Sequence, residues 1–177
     1  MEFLSYGKRF VIDGISVYVA GVYEKTLQKL IRGLKYHNQR DLAYYQAKFM
    51  WEYWQNIMPE CQFEVVPVPL HKSRQHKRHY NHMELVGEEF CRLSGYTLNT
   101  KLIRRIKETK PQYKLTPSER AENLSNAFEV DKNEWFSGKI LIIDDITTTG
   151  STFAEMIKTL KSADINDITC FATTTPK

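Results

Sequence analysis

Two adjacent carboxylates, Asp144 and Asp145, close an apolar run from Ile140 to Ile143, and Ile146 and the stretch Thr147-Thr148-Thr149-Gly150-Ser151-Thr152 follow them. Four consecutive apolar residues read as a strand buried on both faces. A helical pattern begins at Phe153, so the hydroxyl-rich stretch is a loop that leads into a helix N-terminus. In open α/β sheets, ligands bind at the C-terminal ends of strands. A loop of small residues at a helix N-terminus suits an anion: backbone N–H groups point at it, and the helix dipole adds roughly half a positive charge. Thr and Ser hydroxyls supply further donors. A phosphate therefore fits the loop, and the carboxylates suit sugar hydroxyls or a phosphate-bound magnesium. These residues ask for a phosphorylated sugar. A nucleotide-binding P-loop is a poorer match, because it requires Gly-Lys before the Ser/Thr and none stands in this loop.

Two basic stretches could complete such a site. His71 to His82 holds Lys72, Arg74, Lys77 and Arg78, together with His71, His76, His79 and His82, and contains no acid. Charge of one sign at this density is unfavourable unless it is solvated or faces an anion. It follows the apolar segment Phe63 to Pro69, as the Asp pair follows its own strand, which favours a phosphate-facing loop. The histidine spacing also permits zinc, but no Cys or acid stands nearby as a partner. The second stretch, Lys101 to Arg120, carries Lys101, Arg104, Arg105, Lys107, Lys110, Lys114 and Arg120 against Glu108 and Glu119. From Lys107 to Arg120, with Pro111 and Pro117, it reads as a mobile basic loop of the kind that closes over a substrate, or as an ordinary long surface loop. The same cations serve either pyrophosphate or a nucleic-acid backbone.

The elements that must position these residues follow from periodicity. Asp13-Gly14, between two alternating apolar runs, predicts a type I′ hairpin. Leu27, Leu30, Ile31 and Leu34 predict a helix over 24–36, and Asp41 is placed to cap a second helix running to about Ile57. Its aromatic side chains are read as core. Met83 to Leu93 is amphipathic, with Gly95 as its C-terminal stop. Leu98 to Ile106 is expected as one strand, 118–126 as a short helix, Ala127 to Val130 as a strand and Asp167 to Thr173 as the last strand. Strands and helices alternate from Phe63 onward. That order predicts an α/β fold with a mostly parallel sheet, helices on both faces, and the strand ends near Pro69 and Asp144 on one rim. Residues 1–60 form an expected hood of hairpin and two helices, and 61–177 the core.

Leu141 to Thr152 resembles the motif with which type I phosphoribosyltransferases bind phosphoribosyl pyrophosphate (PRPP): apolar strand, two acids, an apolar residue, a Thr/Gly loop. The resemblance implies Asp144 and Asp145 at the ribose hydroxyls, and Thr147, Thr148, Thr149, Gly150, Ser151 and Thr152 around the 5′-phosphate. The wider chain is similar to the ComF family of competence proteins, in its ComFC-type members. Tyr23-Glu24-Lys25, Leu30-Ile31, Leu34-Lys35-Tyr36 and Arg40-Asp41-Leu42-Ala43 resemble the family's N-terminal helices. Val66-Pro67-Val68-Pro69-Leu70-His71 with Arg74, Arg78 and Asn81 is similar to its pyrophosphate loop, which implies Leu70, His71, Lys72 and Arg74 as pyrophosphate contacts. Arg104 to Phe128, with Thr109, Gln112, Leu115, Arg120 and Asn123, is similar to its flexible-loop segment. The chain departs from the family in two places. It lacks the paired Cys-x-x-Cys motifs of the zinc ribbon many members carry, so no zinc is expected. Arg78-His79-Tyr80-Asn81-His82 also stands where members have Arg-Gly-Phe-Asn-Gln.

The resemblance implies a cytoplasmic factor of natural transformation that handles entering single-stranded DNA, with Mg²⁺-PRPP as ligand and a DNA translocase or DNA-processing proteins as partners. Composition agrees with a soluble single domain: 177 residues, 26% charged, net charge +4 and three scattered cysteines without metal or disulfide spacing. No secretory signal or membrane-spanning run is read. The alternative is a working Mg²⁺-dependent phosphoribosyltransferase with an unidentified acceptor. Residues 1–60 show no clear set of polar groups for reading a base, which favours the binding factor.

Overall fold

Asp13 and Gly14 both take positive φ, 49° and 80°, the backbone of a type I′ turn. They join β1 (Lys8–Ile12) to β2 (Ile15–Val22) with Ile12 opposite Ile15. The structure is a computed structural model that describes residues 7–58, 60–73, 79–108 and 115–177. From β2 the sheet runs through β8 (Ile168–Thr175), β7 (Ile140–Ile146) and β3 (Glu64–Pro67) to β4 (Thr97–Leu98). Its order is β1-β2-β8-β7-β3-β4, with β1 antiparallel and the other pairings parallel. Val65 lies opposite Leu141 and Ile143 opposite Phe171, so the ends of β3, β7 and β8 share one rim, as expected.

β7 is buried on both faces because its apolar residues serve two clusters. Ile140 and Ile142 pack with Val17, Val66, Cys170, Phe153 and Met156. Leu141 and Ile143 pack with Leu34, Met50, Trp54, Phe90 and Phe171. Each of these four residues is fully buried, and burial of such a side chain stabilises by roughly 1.5–3 kcal/mol. The second cluster is covered by α1 (Lys25–Tyr36), α2 (Leu42–Ile57) and α3 (His82–Ser94). Trp54 of α2 lies 4.8 Å from Phe171, and Trp51 packs edge-on against Phe90 at 5.9 Å. Asp41 stands before α2 but makes no side-chain cap. Asn81 does cap α3, accepting from Met83 N at 3.0 Å, and Gly95 ends that helix at φ 76°.

The opposite face is covered by α5 (Ser151–Lys161) and by a small subdomain. In the latter, β5 (Ile103–Arg105) pairs antiparallel with β6 (Phe128–Val130), and α4 (Pro117–Leu124) starts on a Thr116–Glu119 capping box. The single strand expected from Leu98 to Ile106 is instead two. Asn99 breaks it, since its Oδ1 accepts from Lys101 N and Leu102 N, both at 2.9 Å, and turns the chain. Residues of the expected hood are continuous with the core: β2 lies inside the main sheet, and α1 and α2 share a cluster with β7 and β8.

Candidate ligand-binding site

Tyr23 N donates to Thr175 O at 2.8 Å, so α1 begins at the C-terminal ends of β2 and β8. The other end of α1 reaches β7, because Lys35 Nζ lies 2.6 Å from Asp145 Oδ2. Tyr80 holds the same end through its hydroxyl, which donates to Leu34 O. The helix therefore lies across the rim where the ligand motif ends. His82, the first residue of α3, comes to the same oxygen, with Nε2 at 2.5 Å from Asp145 Oδ2. Asp145 is only 3% exposed. Burial alone would raise its pKa, but the charges of Lys35 and His82 outweigh that and hold it well below the usual carboxylate range. Lys35 answers with a raised pKa: burial opposes the ammonium, and Asp145 more than compensates.

Asp144 is different. It is half-buried, and its Oδ1 accepts from Asp145 N at 2.8 Å. Burial and the neighbouring Asp145 charge push its pKa up to about 7, against the pull of Lys35 and Arg105. One carboxylate is thus fixed as an anchor, and the other is half-buried and holds its proton more tightly than an ordinary carboxyl.

The loop beyond β7 begins at Thr147, whose N donates to Thr174 O at 2.9 Å. Thr147 is 4% exposed, and its Oγ1 has no hydrogen-bond partner. A buried hydroxyl left so is costly, and a phosphate oxygen would satisfy it. Thr148 and Thr149 are exposed, and Thr149 Oγ1 lies 2.6 Å from Ser151 Oγ. Gly150 has φ +77° and directly precedes α5, which begins at Ser151 with Thr152 in its first turn. A Cβ at Gly150 would lie 2.5 Å from Ile12 Cδ1, so the β1–β2 hairpin packs against the loop. Half-buried Asp144 and the loop residues follow one another at the end of β7, whereas the Asp145 carboxylate, expected at the ribose with Asp144, is buried against Lys35 and His82.

The basic groups are less uniform. Leu70, His71 and Lys72 follow β3, and His71 Nδ1 lies 3.0 Å from Ser73 Oγ. Ser73 Oγ donates to Glu108 at 2.7 Å, which joins the bases of the two basic stretches. Arg74, Arg78, Lys110 and Lys114 lie outside the described residues, as does the side chain of Arg120 in α4. Arg104 and Arg105 are strand residues of β5. Arg104 is paired with Glu129 across the β5–β6 pair at 2.7 Å. Arg105 is 9% exposed, stands over the Phe128 ring at 5.6 Å, and its charge acts on Asp144. Lys107 is exposed, 3.4 Å from Ser125 O. Reading the sequence as a string of motifs misses Lys35 and His82 as partners of Asp145. A signal for Lys35 exists: it stands four residues after buried Ile31, on the inward side of α1.

No family model matches the chain. It is 33% identical over 159 residues to Competence protein F of Haemophilus influenzae, covering 85% of this chain and 68% of that protein. The chain belongs to the ComF family. Other ComF-type relatives are DNA utilization protein YhgH of Salmonella typhimurium, 28% identical with 78% of this chain and 62% of that protein covered, and Competence protein ComFC of Bacillus subtilis, 32% identical over 54% of this chain and 37% of that protein. The ComF chain thus spans about two thirds of the first relative and less of the others. Among solved structures it is similar to adenine phosphoribosyltransferase from Saccharomyces cerevisiae, at TM-score 0.42 and 14% identity over 76% of this chain and 69% of that one. The fold assignment rests on the strand order itself. Among the described residues, no helix is long and apolar enough to cross a membrane.

Proposed function

We propose that this ComF-family chain binds Mg²⁺-PRPP at the end of β7 and serves the uptake and handling of single-stranded DNA in the cytoplasm. Its relatives are described as competence and DNA utilization proteins, which supports the cellular role. The observation that carries the ligand is the buried, unpartnered Thr147 hydroxyl beside the positive-φ turn at Gly150. In this reading the 147–152 loop holds the 5′-phosphate, and half-buried Asp144 takes the ribose hydroxyls. Asp145 fixes the strand end by holding Lys35 and His82. His71 and Lys72 take the pyrophosphate, whose charge a bound Mg²⁺ would neutralise. A DNA translocase is the partner class that fits the role.

Phosphorus NMR of the protein with PRPP, Mg²⁺ and a pool of bases tests this. Broadened PRPP resonances without new peaks are expected. Growing pyrophosphate and nucleotide peaks would replace the binding role by a phosphoribosyltransferase. Unchanged resonances would remove PRPP as the ligand.

A further inference from the structure

The exposed face of α1 is a cationic stripe that the ligand pocket does not use. Residues 25–40 contain Lys25, Lys29, Arg32, Lys35 and Arg40 and no acid. Lys35 turns inward to Asp145. Lys25, Lys29, Arg32 and Tyr36 fall at spacings of four, three and four, the repeat of one helical face, and all four are exposed, Tyr36 at 60%. The inward face holds Ile31, Gly33 and Leu34. Other helices balance their cations locally: Lys48 with Glu52, Arg92 with Glu89, Lys158 with Glu155. Among the described residues, Lys25, Lys29 and Arg32 form no ion pair. The first turn of α1 carries no acid, and the acid at its N-cap, Glu24, is paired with Lys177 at 3.0 Å. Like charges at this spacing disfavour a helix, so the stripe costs the free protein stability that an anionic partner would restore.

The stripe is about 16 Å long at 1.5 Å per residue, longer than a phosphorylated sugar. It leads past Tyr36 to Arg40, whose guanidinium lies over the Tyr80 ring at 4.6 Å. A row of cations ending in an exposed aromatic is the chemistry of a single strand: phosphates on the cations and a base on the ring. We propose that single-stranded DNA runs along the outer face of α1, over Lys25, Lys29 and Arg32, with a base stacked on Tyr36. This rests on the DNA-handling reading above and names its surface.

Fluorescence anisotropy with a labelled oligothymidylate, read across a salt series, tests the surface. The Lys29→Gln/Arg32→Gln variant should bind about tenfold more weakly and lose about 1.4 from the salt slope, about 0.7 for each phosphate contact removed. Tyr36→Ala should lose about fivefold or more with the slope unchanged, as expected for stacking. All three residues are on the surface, and melting curves should match the parent. If the parent binds and the double variant binds equally well, the stripe is overturned while DNA handling stands. If the parent fails to bind the oligomer at low salt, the DNA reading itself falls. Equal binding of duplex, with Tyr36→Ala silent, would overturn the single-strand assignment.

Discussion

Replacing Asp144 with Asn should stabilise the protein while removing its ligand. Burial and the charge of Asp145 raise the Asp144 carboxyl from an ordinary value near 3.8 to about 7. A group raised on folding contributes stability that is present below its unfolded pKa and lost as pH rises through the folded one. The wild type should therefore lose stability relative to Asp144→Asn between pH 4 and pH 7, with the difference constant above. Moving a carboxyl from 3.8 to about 7 corresponds to a ceiling of about 4 kcal/mol, at roughly 1.4 kcal/mol per pH unit. Asp144 is half-buried, so the change read should lie between about 1 kcal/mol and this ceiling. An Asn oxygen still accepts from Asp145 N, so the substitution leaves no broken contact. Urea denaturation of both proteins at pH 4, 6 and 8 reads the effect, and the difference curve isolates residue 144. A variant less stable than the wild type at pH 8, or a difference that does not change with pH, would refute the reasoning.

The other predictions use the same site. Thr147→Val removes a buried hydroxyl without a partner, and should raise stability by about 1 kcal/mol in urea denaturation while weakening PRPP about tenfold in calorimetry. Lys35→Met leaves Asp145 with His82 alone. Removing one side of a buried pair costs roughly 3–5 kcal/mol, and the 19% exposure of the Lys35 side chain lowers this to about 2 kcal/mol, measurable in the same denaturation. Gly150→Ala meets both φ +77° and the Ile12 side chain. It should cost about 1–2 kcal/mol from the left-handed backbone alone, and pairing it with Ile12→Ala should recover only the part due to the clash, read by thermal denaturation.

Local features were the legible ones. The hairpin follows from Asp13-Gly14, the stop of α3 from Gly95, and the doubly buried β7 from its unbroken apolar run, because each depends on residues a few positions apart. What was not legible is non-local or rests on one side chain. Lys35, His82 and Asp145 are brought together only when α1, α3 and β7 meet, and no spacing in the sequence records that. β2 alternates like a half-exposed strand, yet lies between β1 and β8, a placement set by pairing with a strand some 150 residues later. Leu98 to Ile106 looks continuous in composition, and the Asn99 side chain divides it. The two carboxylates look equivalent as a pair. Burial and partners make one an anchor and leave the other near the surface.

The most direct test is a calorimetric titration of Mg²⁺-PRPP into the wild type, Asp144→Asn and Thr147→Val at pH 8. Saturable one-site binding to the wild type is expected, with weakening of about tenfold in Thr147→Val and loss in Asp144→Asn, both variants remaining folded. Binding of equal affinity in all three would place PRPP elsewhere and contradict the assignment of the β7 loop.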